Sequence, residues 1–487
     1  MKLLAVVLLI LVAQNANSQS AAPAQVQCTQ GTVTITGSLR ARGYAWDWFT
    51  PTSGNNDYQY PGNIFRLNLC TTTRSGTDLA VEFAVPFMFA LPTNAIGTGP
   101  QQGLLGFGAN YFSANDGRRN VAMVFPRQLY AKFKVEGNKD NTVQLGRFTF
   151  LDGSEITPKD ETLATLKRDR VTQRLLGDFG FSDVGRSFDG VHYSYTSSES
   201  KNLTLIAAVT TRGVFQVDGW GWNRVGFVYA AYTLDWGTGH HAADTRAFVI
   251  EYDDWRGVLK TDNQPQSVRA ANNGNIVINT FGGHSIHAFD TKQGTINLMI
   301  WGLGQTGRWG VQTQRSAAVE GEAGFQPKMP LKPWIRGGYT WGSGDDNPSD
   351  NTHGTFFQLL PTPRPYARFP FFNMMNNADI YGALILRPNS RVTIWSQFDS
   401  LRLANRNDLW YTGGGVFQPW TFGYTGRSPS GARSFANLYD TSVEYRENRK
   451  VTFTGYFGYA QGLAVMKQIY PKGKDGKFGY VEVLYRF

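Results

Sequence analysis

The sequence predicts an all-β fold, a single transmembrane antiparallel β-barrel of about eighteen strands with long external loops. Three observations predict it. Apolar and polar residues alternate with period two over segments near ten residues long, longer than the strands of most soluble sandwiches. The composition is 14% aromatic with 54 Gly, 13 Trp and 22 Tyr, which suits one large sheet with aromatic girdles and tight turns. The chain also ends on an alternating strand whose last residue is Phe487.

At the N-terminus, Met1-Lys2 and the apolar run Leu3 to Ala13 have the charged start and short hydrophobic core of a secretory signal peptide. Ala16-Asn17-Ser18 supplies small residues for cleavage. The expected organisation is a signal peptide over 1–18, a periplasmic segment over 19–30 and one barrel domain over 31–487. Cys28 comes too late to be a lipoprotein anchor. Nothing after Ala13 approaches the roughly 18 to 20 consecutive apolar residues of a spanning helix, which excludes helical inner-membrane proteins. No plug domain precedes Thr32, which disfavours an energy-coupled receptor. Cys28 and Cys70 fall on the same rim of an up-down hairpin, in a compartment that permits disulfides. A bridge and two free buried thiols both remain open.

The strands follow in order. From Thr32 to Tyr44, Val33, Ile35, Leu39 and Ala41 oppose Thr34, Thr36, Ser38, Arg40 and Arg42. Leu79, Val81, Phe83, Val85 and Phe87 alternate against Ala80, Glu82 and Ala84, and Leu129, Ala131, Phe133 and Val135 against Tyr130, Lys132, Lys134 and Glu136. Eighteen such segments centre near 38, 66, 82, 131, 146, 192, 206, 229, 250, 282, 299, 317, 336, 382, 397, 441, 455 and 483. Alternation is weak from Asn272 to Phe325, so sixteen strands stays an alternative. Short connections at Thr71–Gly76, Gly137–Asn141 and Arg446–Lys450 alternate with long ones, the pattern of periplasmic turns and external loops. The last strand puts Val481, Val483, Tyr485 and Phe487 on the lipid face, a register of the kind read by the barrel assembly machinery.

The long segment Leu151 to Arg186 is the strongest candidate for a functional loop. Thr157-Pro158 with Lys159, Asp160 and Glu161 reads as a helix start. Leu163, Leu166, Val171, Leu175 and Leu176 recur at helical spacing, and Gly177 suits the end. Lys167, Arg168, Arg170 and Arg174 would then bring positive charge to a helix that narrows the lumen, unless it is an external helix with a basic face. With a formal net charge of +10, the pore-contacting candidates are Arg40, Arg42, Arg66, Lys132, Lys134, Arg147, Lys167, Arg170, Arg174, Arg212 and Arg336. Rings of Arg and Lys favour anions, and Arg holds a carboxylate through two parallel hydrogen bonds. Contact with anionic lipopolysaccharide at the rims is the competing role. Glu82, Glu136 and Glu251 would moderate the field. No nucleic-acid partner is expected.

Tests for an enzyme come out poorly. His192, His240, His241, His284, His287 and His353 form no metal motif, and no cofactor or catalytic residue is expected. A barrel phospholipase or protease would set a Ser or Asp beside a His on the outer face, a spatial relation that the sequence does not reveal. Asp345-Asp346-Asn347-Pro348-Ser349-Asp350 has oxygen ligands that could bind calcium but lacks the spacing and late Glu of an EF-hand, and a solvated external loop is the favoured reading.

Gly342-Ser343-Gly344-Asp345-Asp346-Asn347, His353-Gly354-Thr355-Phe356, Ser400-Leu401-Arg402-Leu403 and Asp408-Leu409-Trp410-Tyr411 resemble the alginate export porin family. Gly426-Arg427-Ser428-Pro429, Tyr439-Asp440 and Arg186-Ser187-Phe188-Asp189-Gly190 carry the same likeness, which is densest from Pro333 to Phe487. The resemblance implies an eighteen-stranded outer-membrane barrel with an electropositive, loop-narrowed lumen through which a polyuronate leaves the cell, with periplasmic export partners delivering it. A general or anion-selective nutrient-uptake porin is the alternative.

Overall fold

The computed structural model describes residues 28–99, 102–138 and 140–487. The signal peptide expected over 1–18 lies outside them, as does most of the segment 19–30. Eighteen barrel strands run in chain order. The first nine are β1 Thr34–Asp47, β2 Asp57–Thr72, β3 Asp78–Met88, β4 Phe125–Lys134, β5 Asn141–Phe148, β6 Phe188–Ser197, β7 Lys201–Thr211, β8 Trp222–Thr238 and β9 His241–Asp254. The second nine are β10 Ile276–Asp290, β11 Gly294–Trp309, β12 Gln312–Pro327, β13 Trp334–Gly342, β14 Asn377–Leu386, β15 Val392–Leu403, β16 Ser434–Arg446, β17 Val451–Gly462 and β18 Gly476–Arg486. Each expected centre falls inside one of them.

Every strand pairs antiparallel with its neighbour in sequence, and β18 returns to β1, from Ser38 opposite Arg486 to Asp47 opposite Lys477. This closure leaves no unpaired edge in a solvent that cannot satisfy one. Among the described residues no helix is long and apolar enough to cross a membrane, so the crossing is made by strands. The outer face carries exposed Val33, Ile35, Leu129, Val191, Phe281, Ile335, Val481 and Phe487, the apolar band that lipid requires.

The stretch of weak alternation, Asn272 to Phe325, holds three of the longest strands, β10 to β12, which settles the count at eighteen rather than sixteen. Its pattern is faint because Gly282, Gly283, Gly302, Gly304 and Gly307 replace side chains that would mark a face. The strand expected over Gln128 to Glu136 stops at Lys134. Val135–Gly137 is a tight turn in which Glu136 has φ 52°, so Glu136 lies at the periplasmic rim and not in the lumen. Cys28 and Cys70 are bridged at that rim, their Cα atoms 5.1 Å apart.

The connections on the periplasmic side are short, such as 198–200, 239–240 and 291–293, whereas external ones reach from 149 to 187 and from 343 to 376. These two long loops turn inward. Leu163, Leu166, Leu175, Leu176, Phe356, Phe357, Leu359 and Leu360 are wholly buried there, packed into one core with wall residues such as Trp46, Tyr229 and Trp301. The lumen therefore differs between its halves. Along β1 the inward residues Thr34, Thr36, Ser38 and Arg40 keep partial exposure, while Arg42, Tyr44 and Trp46, nearer the outside, are buried. The interior is open toward the periplasm and closed by folded-in loops toward the exterior.

Candidate functional site

The closure centres on loop 149–187. Its helix α1, Glu161–Leu166, begins where the Asp160 carboxylate accepts from the Leu163 amide at 2.9 Å. It continues as one π turn, Lys167–Val171, and stops at extended Thr172. The helix is shorter than the leucine spacing suggests. Gln173 has φ 67°, and the amides of Leu175 and Leu176 are taken by the Asp152 carboxylate at 3.2 and 3.0 Å. Gly177 is no helix cap, because its amide donates to Leu360 of the other inward loop at 2.8 Å.

Charged side chains fix this loop to strands all around the wall. Lys167 Nζ lies 2.7 Å from Asp244 on β9, which also meets His284 of β10 at 2.6 Å. Arg170 Nε is 2.9 Å from Glu322 on β12, and its guanidinium covers the Tyr381 ring at 4.3 Å. Glu322 also accepts from Arg336 at 2.7 Å, and Arg336 reaches Asp169 at 3.4 Å. Arg174 pairs with Glu320. Two residues along β9 from Asp244, Arg246 holds Glu155 at 3.2 Å and Asp152 at 3.6 Å. Arg40 donates to the Gly180 carbonyl at 2.7 Å, and Arg42 donates to the Phe181 carbonyl at 2.7 Å and to Glu482. Buried charges left unpaired would be very costly, so this network defines one docked arrangement of the loop.

The pore-contacting candidates therefore separate. Arg40, Arg42, Arg66, Arg336, Lys167, Arg170 and Arg174 are inside the barrel, each with an acidic partner. Lys132 faces the lumen, half-buried, and Lys134 is exposed at the periplasmic rim. Two expectations are corrected. Arg147 shares the parity of exposed Leu145, so it is on the outer face, paired with Asp189 at 2.7 Å. Arg212 follows the last residue of β7 and pairs with Asp218 in an external loop at 3.2 Å. Glu251 likewise points outward, whereas Glu82 is inside beside Arg66 and Arg127.

Several interior charges escape a parity argument. Arg127 belongs by its number to the lipid face of β4, but the pairing slips between Glu82–Gln128 and Phe83–Pro126. The bulge turns Arg127 inward, where it meets Asp178 and Glu82. Arg246 was legible from its alternation in β9. Arg364 and Arg368 come from loop 343–376, where no periodicity marks an orientation. Like Arg186 and Arg427, which are wholly buried and donate to backbone carbonyls, they have no carboxylate within 4.0 Å among the described residues. The Arg364 guanidinium covers Phe181 at 4.5 Å and Tyr456 at 5.0 Å. Arg368 covers Trp395 at 4.1 Å and donates to Ser442 at 2.8 Å. Both keep partial exposure. The segment Asp345 to Asp350 is a turn in which the Asp345 carboxylate accepts from the Asn347 amide at 3.0 Å, and no metal-ligating cluster occurs among the described residues.

A closed eighteen-stranded barrel with an apolar outer band, short turns on one side and inward-folded loops on the other is a pore of the Gram-negative outer membrane. The sequence model of the family described as alginate export matches residues 127–454, about two thirds of the chain, and the chain belongs to that family. Among solved structures it is similar to OccAB2 of Acinetobacter baumannii, with TM-score 0.60 and 8% identity over 94% of this chain and 98% of that one. It is also similar to OccK9 (OpdG) of Pseudomonas aeruginosa, with TM-score 0.58 and 10% identity over 95% and 100%. At such identities the likeness is one of fold. No curated protein matches the chain.

Proposed function

We propose that this outer-membrane pore passes an anionic polysaccharide of the polyuronate class outward, with Arg364 and Arg368 as its contact residues. The observation that carries this reading is that pair of partly exposed arginines, stacked on aromatic rings and free of carboxylate partners within ion-pair distance among the described residues. An acidic sugar offers a carboxylate for a guanidinium fork and a weakly polar ring face for Tyr456 and Trp395. Asp440, within electrostatic reach of both arginines, keeps that attraction weak enough for release, as conduction requires. An interior open toward the periplasm and closed outside suits a polymer delivered by periplasmic partners, with the inward loops as the gate. Lys167, Arg174, Arg170 and Arg42 serve the closure, since their charge is matched by Asp244, Glu320, Glu322 and Glu482.

Single-channel recording in a planar bilayer tests this, with reversal potentials in a salt gradient and titration with oligouronates. Block by short oligouronates is expected, weakened roughly 10- to 100-fold in Arg364→Ala or Arg368→Ala, since a charged hydrogen bond contributes about 1.5–3 kcal/mol. Large, weakly selective conductance that ignores oligouronates overturns the polysaccharide reading in favour of a general porin.

A further inference from the structure

The outer face of β8 to β10 carries a polar chain that the pore does not use. The Trp236 Nε1–H donates to Thr245 Oγ1 at 3.1 Å. Thr245 Oγ1 lies 3.0 Å from Ser285 Oγ, Ser285 Oγ lies 2.9 Å from His287 Nε2, and His287 Nδ1 lies 3.0 Å from His241 Nε2. Trp is a donor only, so Thr245 accepts from Trp236; the hydroxyl and imidazole protons beyond it are satisfied in either of two directions. In the direction that primes the serine, Thr245 donates to Ser285, Ser285 donates to His287 Nε2, and His287 carries its proton on Nδ1 and donates it to His241. A serine hydroxyl aimed at an imidazole nitrogen, with that imidazole oriented by a third group, is the arrangement of an activated nucleophile.

The surroundings favour lipid as the partner. Tyr232, Trp236, Phe281, Leu298 and Ile300 are exposed on the same stretch of outer wall. Polar groups facing hydrocarbon are expensive, and an interfacial anchor needs only the Trp and Tyr. His284, the neighbour of Ser285, faces the lumen and bonds to Asp244 at 2.6 Å, so the sheet separates this cluster from the channel. His241 directly follows the turn 239–240, and Ser285 is five residues from the end of β10. At about 3.4 Å per residue and a tilt of about 40°, the serine is about 13 Å below the rim, near the acyl-ester level of the periplasmic leaflet.

We propose that Ser285, His287 and His241 form a lipid-facing esterase site that hydrolyses an acyl ester of a glycerophospholipid. Ser285 Oγ bonds to the ester carbonyl carbon while its proton passes to His287 Nε2. Collapse breaks the bond to the glycerol oxygen, which takes the proton from His287 and leaves as the lysophospholipid. Water then adds to the acyl-serine carbonyl and gives a proton to His287. That proton returns to Ser285 Oγ as the acyl bond breaks and the fatty acid leaves. His241 is a positioning residue, holding His287 in the required tautomer.

The test uses the mature protein folded into vesicles of phosphatidylethanolamine and phosphatidylglycerol, treated with a fluorophosphonate and assayed for fatty-acid release. Modification mapped to Ser285 is expected, with release falling at least 100-fold in Ser285→Ala and His287→Gln while single-channel conductance and heat-modifiable migration stay those of the parent. His241→Gln is expected to lower release about tenfold and to move the acid limb of its pH profile. Absence of both modification at Ser285 and release above protein-free vesicles overturns the assignment, as does release that survives Ser285→Ala. Neither result bears on the lumen, whose blockade by oligouronates is measured separately.

Discussion

Glu322 is the point at which the docked loop is most exposed to a single change. Its carboxylate accepts from Arg170 of the loop at 2.9 Å, from Arg336 of the wall at 2.7 and 3.1 Å, and from the Tyr381 hydroxyl at 2.9 Å. Both carboxylate and guanidinium groups are almost wholly shielded from solvent. Glu322→Gln keeps the shape and removes the charge, leaving Arg170 with Gln397 at 3.0 Å and Arg336 with Asp169. Removing one partner of a buried pair costs about 3–5 kcal/mol. The barrel ladder is untouched, so the cost falls on loop docking and moves the undocked-to-docked ratio by a factor of roughly 10² to 10³·⁵. Planar-bilayer recording should find larger conductance with frequent transitions, and amide exchange over residues 161–176 should accelerate by a similar factor. Arg170→Met, which leaves Glu322 with Arg336 and Tyr381, should do the same to a smaller extent. Parental conductance and parental exchange in folded Glu322→Gln would refute the view that this network closes the pore.

Three further outcomes follow from the same contacts. Burial pushes Asp152 up to about 6 against the pull of Arg246; docking therefore favours its proton and weakens as pH rises from about 4 to 6. Glu155, where Arg246 and Lys167 outweigh burial, and Asp169, where Arg168 and Arg336 do, are held low, so docking also weakens below about pH 4; protease sensitivity of the loop in folded protein should be least near pH 4–5 and should not peak there. Replacing Cys28 and Cys70 by Ser frees a 42-residue separation and should lower unfolding stability by about 4 kcal/mol on the chain-entropy account, read as an earlier urea midpoint with the same conductance. At the closing seam Gly37 exchanges backbone hydrogen bonds with Phe487 at 3.0 Å, and a Cβ there would run into the Phe487 ring and lie 2.6 Å from the Arg66 carbonyl oxygen; Gly37→Val should loosen the β1–β18 pair and lower the temperature at which the barrel loses its compact electrophoretic form.

The barrel was legible because lipid imposes period-two alternation that can be read strand by strand. Thr34 to Arg42 and Val481 to Phe487 display it directly, and the eighteen centres follow. The site was legible only in part. Arg40, Arg42, Arg66 and Arg336 belong to regular strands, so parity placed them inside; Glu82 and Glu322 face Arg66 and Arg336 from the strand adjoining in sequence, whereas Asp183 and Glu482, the partners of Arg40 and Arg42, come from segments distant in sequence. Arg147 misled because both faces of a strand become polar near a rim. Arg127 was hidden by a one-residue bulge, and Arg364 and Arg368 by a loop without periodicity.

What the sequence by itself determined is the local grammar, since alternation, turn length and the terminal aromatic register depend on residues a few positions apart. Only the tertiary structure decided which charges cancel, which arginines stay without a carboxylate, and that Ser285 sits between His287 and Thr245 on the outer wall. Those relations join residues as far apart as Arg42 and Glu482, 440 positions, and closing the sheet and folding two loops inside it is what brings them within a few ångströms.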